Sequence, residues 1–495
     1  MKSRTETAQS SLKELMYIGL ASFIAACFWF TPIWVYLKGD ATNPFSSAYE
    51  VFFHSSNPEP MFGRGVDQLG SFWMVHEVGE MLSGEQGSIL SDVYHPFGFD
   101  LGMHTGFAWV DALMAVPLAW LIGQPGFYNL HIFITVMLSF GAMVLLMRRI
   151  GLSLWISIGM AHLGFFHPYV VGELVNGRPT QVHWLFPCLF LVSIIEMQKN
   201  RWHWAWSTVA GISLALSCLV YWFGGAGLGF CAIPVCLWLY IQKRDWLGGL
   251  KAACILSVLS LGICLAVTYR TAIPLIEGRD RSAYGRMDRP PQETLDLLLL
   301  EVPVREIIDV SSWNAVVGVY ESTKMPLLLL GLVLIASMVP YGRKEKRPWI
   351  LGWILGVGFP VGAAVSVSKE IWFPTGFAFF NTVFPPLIRC QYIDRLVMVP
   401  ILIGLICVGW TLNGIIQKYT RLQDSRASFL IGLCLVLLNI HNMPSHDTLR
   451  TSNFKRYPKL YEAVQRKPGA ILSLPFERSN NFYVHQIWHE QPIAG

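Results

Sequence analysis

Long apolar stretches separated by short polar ones run along almost the whole chain. Eleven of them approach the roughly 20 residues that an α-helix needs to cross a bilayer, and they therefore predict transmembrane helices. They lie at about 16–37, 128–147, 152–172, 182–197, 204–223, 225–241, 252–269, 325–341, 349–367, 396–415 and 427–442. The first stretch is too long for the core of a signal peptide and lacks a clear cleavage site, so we expect it to be retained.

A further apolar stretch, residues 106–123, decides the topology. If it does not cross the bilayer and the N-terminus is cytoplasmic, the basic clusters all lie on the cytoplasmic side, as the positive-inside bias requires. These clusters are Arg148/Arg149, Lys199/Arg201, Lys243/Arg244/Lys251, Arg343/Lys344/Lys346/Arg347 and Lys418/Arg421/Arg426. Asp111 in the middle of the stretch would also be costly at bilayer depth. We therefore predict an interfacial or re-entrant helix here.

This topology divides the chain into a transmembrane domain, 1–442, and an external C-terminal segment, 443–495. Large external loops are then expected at 38–127, 270–324 and 368–395. In the tail, residues 470–476 predict a buried strand between two helical stretches, as at the start of an incomplete α/β domain. The expected fold is an all-α polytopic membrane protein of about 11 transmembrane helices with a short external α/β tail.

Composition supports the membrane assignment. Of the 495 residues, 53% are apolar and only 14% are charged, whereas soluble domains carry about a quarter charged residues. The ten cysteines fall in or beside apolar stretches, so neither a disulfide framework nor a zinc site is indicated. Membrane lipids are the expected surroundings, and no nucleic acid partner is expected.

Several features, taken in order, resemble the bacterial GT-C-fold glycosyltransferases, and in particular their uncharacterised multi-spanning members. A first span leads into a large external loop with acids, a Y-x-P-x-G turn (YHPFG, 94–98), an apolar interfacial helix and a second span ending in LLMRR (145–149). Further similar segments are GRPTQVHWLFP (177–187), YWFGG (221–225), PLIRCQYIDRLVMVP (386–400) and PGAILSLPF (468–476).

The resemblance implies an enzyme that transfers a sugar from a polyprenyl-phosphate carrier to a glycan, lipid or protein acceptor. The reaction would take place on the external face of the bacterial inner membrane and use an acid of the first external loop. A carboxylate would accept the proton of the acceptor, while cationic groups or a divalent metal stabilise the departing phosphate. The loop lacks the adjacent acidic pair of several GT-C members, so metal use stays open.

Asp67 is the first candidate for the catalytic base, because it lies where the first loop resembles the acidic position of the family. Asp92 is its nearest rival. Each also has a structural alternative, as a helix N-cap for Asp67 and as a turn residue for Asp92. Further candidates are Asp40 at the end of the first span, Asp100 before the interfacial helix, and Glu321 before a later span.

The stretch after Asp67 predicts an amphipathic helix lying on the membrane. Its apolar stripe comprises Met74, Val75, Val78, Met81 and Leu82. On the other side, Trp73, His76, Glu77 and Glu80 are expected to face water. His76 and Glu80 are spaced to share a metal ion, but no third ligand completes a known motif.

Arginines in other external loops are candidates for binding the carrier phosphate, because a guanidinium matches phosphate oxygens. They are Arg281, Arg286, Arg289 and Arg389. A solvated loop is the alternative for the first three, and lipid anchoring is the alternative for Arg389 and its neighbour Arg395. Arg178 and His183, at the external end of the third and fourth spans, are expected to snorkel or to cap helices.

Two other functions stay open at this stage. A transporter or flippase of a lipid-linked glycan would carry polar groups or broken helices at bilayer depth, whereas here the charge lies mainly in the loops. A non-catalytic membrane scaffold is the second alternative, because a fold does not fix a function.

Overall fold

The structure of the chain is a computed structural model. It describes residues 2–30, 60–62, 66–85, 89–90, 99–100, 109–122, 126–166, 168–175, 178–199, 203–276, 302–303, 327–341, 343–358, 364–368, 371–374, 398–419, 422, 424–441 and 451–453. Helices make up most of these residues, and the strands are two to five residues long.

Fourteen helices are assigned within the described ranges. They are α1 Lys2–Phe30, α2 Val66–Ser83, α3 Trp109–Ile122, α4 Gly126–Ile150, α5 Leu154–Phe165, α6 Pro168–Val175, α7 Pro179–Val182, α8 Leu185–Lys199, α9 Trp204–Lys243, α10 Trp246–Ile276, α11 Leu327–Met338, α12 Arg343–Gly358, α13 Met398–Lys418 and α14 Ser425–His441.

Three small sheets lie between the helices. Strand β1 (Pro60–Phe62) pairs antiparallel with β7 (Thr451–Asn453), with Pro60 opposite Asn453. Strand β2 (Ile89–Leu90) pairs antiparallel with β3 (Phe99–Asp100). Strand β5 (Ala364–Ser368) pairs in parallel with β4 (Val302–Pro303) and antiparallel with β6 (Ile371–Pro374). The first and third sheets thus join segments that are far apart in sequence.

The helices confirm an α-helical membrane protein. Six segments of the described chain are long and apolar enough to cross a bilayer: Gly126–Ile150, Pro179–Lys199, Trp204–Tyr221, Gly224–Gln242, Trp246–Tyr269 and Met398–Lys418. Shorter apolar helices occur at Trp109–Ile122, Leu154–Phe165 and Ser425–Leu438. The predicted number of eleven spans is therefore supported only in its coarser form, as a protein with several membrane-spanning helices.

Helix α9 is a tight hairpin rather than one straight rod. Its backbone leaves the helical conformation at Tyr221, with φ −152° and ψ 92°. Beyond this point the chain folds back, since a Cβ atom added to Gly225 would lie 2.6 Å from the backbone nitrogen of Cys218. Gly229 likewise lies against Leu214. The two predicted spans at 204–223 and 225–241 are the two arms of this hairpin.

Two of the predicted spans differ in the structure. The stretch 152–172 is broken, because α5 ends at Phe165 and a separate helix, α6, begins at Pro168. Proline disfavours a helical conformation in the residue before it, which accounts for the break. The stretch 349–367 ends as a helix at Gly358, and its last residues belong to strand β5.

Helix α4 lies at the centre of the bundle and packs against α1, α3, α5, α8 and α13. Helix α5 in turn crosses α14 very closely. A Cβ atom on Gly159 would lie 2.6 Å from the carbonyl oxygen of Gly432, so the crossing requires glycine at this point. Small residues that allow backbones to approach are typical of helix pairs in membranes.

Basic residues of four helices come together at one end of the bundle, which we call the basic end (Arg148, Arg149, Lys199, Lys346 and Lys418). Lys199 donates to the carbonyl of Arg149, and Arg149 forms an ion pair of 3.7 Å with Glu196. Lys346 is buried and donates to the carbonyls of Ala336 and Val339. Positive charge is favourable there, since these carbonyls lie at the C-terminal end of α11.

Candidate functional site

The structure places two of the predicted acids on regular elements. Asp67 is the second residue of α2, which begins at Val66. It therefore lies in the first helical turn rather than at the N-cap that its sequence context suggested. Asp100 ends strand β3, opposite Ile89.

The other candidates lie outside the described residues. They are Asp40, Asp92, Arg281, Arg286, Arg289, Glu321, Arg389 and Arg395, together with the strand predicted at 470–476. Their roles stay predictions.

Helix α2 packs against its neighbouring helices on more than one side. Phe72 is fully buried, and its ring lies 5.1 Å from that of Phe127 and 6.0 Å from that of Tyr128, at the start of α4. Trp73 and Glu77 are buried as well, contrary to the water-facing side that was predicted for them. The projection was wrong here because α2 is covered on more than one side, by α3 as well as by the start of α4.

The C-terminal end of α2 carries two interacting carboxyl groups. A hydrogen bond with Glu85 raises the pKa of Glu80 to about 7, with further contributions from burial and from the charge of Glu85. Burial lowers the pKa of the nearby His76, and this is partly offset by the charge of Glu85. A shared proton between two carboxyl groups is thus expected near neutral pH.

A buried acid–histidine pair joins α3 to α4 at the end of the bundle opposite the basic end, which we call the far end. The Nε2 atom of His131 lies 2.9 Å from Oδ1 of Asp111, and both side chains are at most 2% exposed. His131 lies 17 residues before Arg148 on α4, which at 1.5 Å per residue is about 26 Å along the helix axis. The sequence predicted that Asp111 keeps α3 from crossing the membrane. In the structure, the side chain of Asp111 is paired with this histidine.

A second histidine lies beside the pair. The Nε2 atom of His183 is 3.3 Å from Sδ of Met114, one turn after Asp111 on α3, and its ring stacks on Phe186 at 5.1 Å. The Nδ1 atom of His183 is buried without a hydrogen-bond partner, and so is Oγ1 of Thr135, one turn after His131. Of the two predicted roles, snorkelling is thus wrong for His183, whereas capping agrees with its position as the C-cap residue of α7.

The short helices between α5 and α8 hold a separate ion pair. Arg178 Nη1 lies 3.3 Å from Oε2 of Glu173, whose side chain is fully buried. Nearby, the hydroxyl of Tyr169 donates to Oε1 of Gln181 over 3.4 Å. Arg178 thus has a buried acidic partner, which a snorkelling side chain would lack.

Metal binding finds no support in the part of the chain that the structure describes, where no group of three or more histidine, cysteine, aspartate or glutamate side chains could hold an ion. What the Asp111–His131 pair and His183 can do chemically is hold and exchange a proton, since imidazole can donate at one nitrogen and accept at the other.

His131 is the residue that sequence reasoning missed. Its signal was present, because an acid in one apolar helix and a histidine in the next are expected to pair when both are buried.

Compared with known protein families, the chain matches none, and no curated protein matches its sequence.

Proposed function

We propose that this protein is a membrane glycosyltransferase of the GT-C type. It would move a sugar from a polyprenyl-phosphate carrier to an acceptor at the external membrane face. The proposal starts from the resemblance of the ordered sequence features, and it is supported by the way in which the acid-bearing helix of the first loop is held.

The observation that carries the proposal is the packing of α2. This helix carries Asp67 in its first turn. In its second turn, the ring of Phe72 packs against the aromatic rings at the start of α4. A catalytic base must be held rigidly, since small displacements of a reacting group cost rate. A loop acid carried by a free surface helix would not meet this requirement.

The short sheets support the same proposal. Strand β1 of the first predicted external loop pairs with β7 of the C-terminal segment, and β4 of the arginine-rich loop region pairs with β5. Each pairing ties one of these loops to a segment that is distant in sequence. A site that is assembled from residues of external loops requires loops that are held in place.

In the proposed reaction, the acceptor hydroxyl gives its proton to Asp67, and its oxygen attacks the anomeric carbon of the donor sugar. The bond between that carbon and the phosphate oxygen breaks, and the polyprenyl phosphate leaves with the electron pair. Arg281, Arg286, Arg289 and Arg389 would stabilise the phosphate. Asp92 is the rival base, and Asp40, Asp100 and Glu321 are the further candidates.

The test compares Asp67→Asn with wild type in proteoliposomes that contain synthetic polyprenyl-phosphate sugars. Release of polyprenyl phosphate is measured with water in place of the acceptor hydroxyl, so the natural acceptor need not be known. Water would give its proton to the same base and its oxygen would attack the same carbon. Asparagine cannot take the proton, so release should fall by about two or more orders of magnitude with an unchanged thermal midpoint. The matched control is Glu80→Gln, which removes another acid from the same helix and should leave release intact.

If Asp67→Asn is fully active, the same test is applied to Asp92→Asn, and full activity of both argues against the proposed enzyme.

On the donor side, replacing Arg281, Arg286 and Arg289 together by alanine should abolish release without loss of expression. Lysine at the three positions should rescue only in part, because it does not form a bidentate contact. Wild-type release by the triple alanine variant would leave these arginines as a solvated face.

A second candidate, transport of a lipid-linked glycan, is favoured by one set of observations. Asp111 and His131 are ionisable groups buried in the helical bundle, and the chain between α5 and α8 runs through two short helices rather than one continuous span. Both features are common in transporters. Movement of a fluorescent polyprenyl-phosphate sugar across liposomes, unaffected by Asp67→Asn, would favour transport over transfer.

A further inference from the structure

The Asp111–His131 pair lies where ionisable groups are costly. It joins two apolar helices, and both side chains are buried almost completely. Replacing such a pair by apolar residues is often neutral or stabilising, so stability alone does not explain its presence. An ionisable residue inside a membrane bundle is by default a candidate for a function, with its partner as part of the site.

The charge of the pair depends on one proton. With a carboxylate and a neutral imidazole the pair is negative, and with one more proton it has no net charge, wherever that proton sits. Burial in an apolar bundle penalises net charge. The pair is therefore suited to storing a single proton.

His183 is a second buried histidine near the pair. Through Met114 it touches the same face of α3 that carries Asp111, since residues three apart in a helix are neighbours. Its Nδ1 atom is buried and has no hydrogen-bond partner. The hydroxyl of Thr135, one turn beyond His131, is also buried and unpartnered, and a hydroxyl can both accept and donate.

Other ionisable side chains occur on the elements that pack around the pair and His183. At the far end, and among the described side chains, they are Cys27 on α1, His76, Glu77 and Glu80 on α2, Tyr128 on α4, His162 on α5, Tyr169 and Glu173 on α6, Arg178 before α7, Cys188 on α8, Cys218 and Tyr221 on α9, and Cys264 and Tyr269 on α10. Glu173 and Arg178 form their own ion pair.

We propose that Asp111 and His131 form an intramembrane proton site, in which the pair takes up and releases one proton. On uptake, a hydronium ion gives its proton to the pair and becomes water, and the net charge of the pair changes from −1 to zero. On release, the bond of that proton to the pair breaks and water accepts it.

The experiment uses the full chain in lipid nanodiscs and the proton itself as probe. All proteins, including the one called wild type here, carry Glu80→Gln, which removes the carboxyl group whose pKa is raised to about 7. Infrared difference spectra between pH 5 and pH 8 are recorded in water and in deuterium oxide. Wild type should show carboxyl and imidazole bands that change with protonation and shift in deuterium oxide. Asp111→Asn and His131→Gln should each lose these bands.

Two variants serve as matched controls. His162→Gln removes a different buried histidine, and Glu196→Gln removes a buried acid at the basic end. Both should keep the bands assigned to the site. Wild-type bands that survive in Asp111→Asn and His131→Gln would overturn the proposal, as would the absence of any such bands in wild type.

His183→Gln keeps the pair intact, so it remains informative if the pair variants do not fold. It should retain both the carboxyl and the imidazole bands of the site. Selective ¹³C labelling of aspartate side chains in this variant should shift the carboxyl band. A carboxyl band that is lost in His183→Gln, or that does not shift with the label, would overturn the proposal.

Discussion

The two ends of the bundle use ionisable residues in opposite ways. At the basic end, Lys199 and Lys346 donate to backbone carbonyls, and Arg149 meets Glu196 with a side chain that is 47% exposed. At the far end, Asp111 and His131 meet each other side chain to side chain and are almost completely buried. Charges at the basic end are thus matched by helix-end carbonyls or by water, whereas the far-end pair has neither.

This difference separates anchoring from function. Cations that donate to the carbonyls of helix ends can be explained by topology and helix dipoles. A buried acid–histidine pair has no such explanation, because an apolar pair would hold α3 and α4 together at less cost. The far end is therefore where we look for chemistry, both for the proton site and for the acid-bearing helix α2.

The largest expected effect concerns which end faces the cytoplasm. Alkaline phosphatase, which is active only outside the cytoplasm, should be inactive when fused after Arg149 and active when fused after Gln124 or Gly495. The reason is that α3, with 14 residues, is shorter than the roughly 20 residues that a span requires. Enzyme activity in whole cells is the measurement, normalised to the amount of fusion protein.

A fusion after Leu37 is the control, since it should be active whether or not α3 crosses the membrane. An active fusion after Arg149 would invert the two ends and place the basic clusters outside.

A smaller effect compares one ionisable residue from each end. Asp111→Ala leaves His131 buried without its partner and should lower the free energy of unfolding by about 3–5 kcal/mol. Arg149→Ala removes a half-exposed ion pair and should lower it by about 0–1 kcal/mol. Unfolding of the purified protein in mixed detergent, followed by tryptophan fluorescence, measures both.

The double variant Asp111→Ala/His131→Leu should recover much of the loss, because removing both partners leaves no buried group unsatisfied. Equal losses for Asp111→Ala and Arg149→Ala would show that the two ends do not differ in this way.

The sequence predicted those features of the fold that depend on composition and local pattern. The apolar stretches identified a helical membrane protein, and the separate spans predicted at 204–223 and 225–241 agree with the reversal of α9 at Tyr221. Local signals that were overlooked explain two of the errors. Pro168 after His167 predicts the break between α5 and α6. The Gly-Phe-Pro sequence that begins at Gly358 predicts the end of α12.

Other features depend on contacts that no local pattern contains. His131 lies in an apolar stretch, and its polar partner is Asp111, 20 residues earlier on another helix. His183 and Met114 are 69 residues apart, and their contact arises from the packing of separate helices. The burial of Glu77 likewise depends on the neighbours of α2, because helical periodicity gives the sides of a helix without saying how many of them are covered.

The smallest expected effect concerns the far end again, at the last turn of α2. The pKa of Glu80 is raised to about 7, chiefly by its hydrogen bond with Glu85. An acid whose pKa is raised on folding stabilises the protein fully below its ordinary pKa of about 4.3, and this stability is lost as the pH rises through about 7. Because Glu80 is only partly buried, the loss should be at most about 1 kcal/mol. The thermal midpoint of wild type should therefore fall slightly between pH 5 and pH 8.

Glu80→Gln and Glu85→Gln should each flatten this slope, because either one removes the shared proton, whereas Glu196→Gln at the basic end should leave it unchanged. A slope in Glu80→Gln equal to that of wild type would show that the two carboxyl groups do not share a proton.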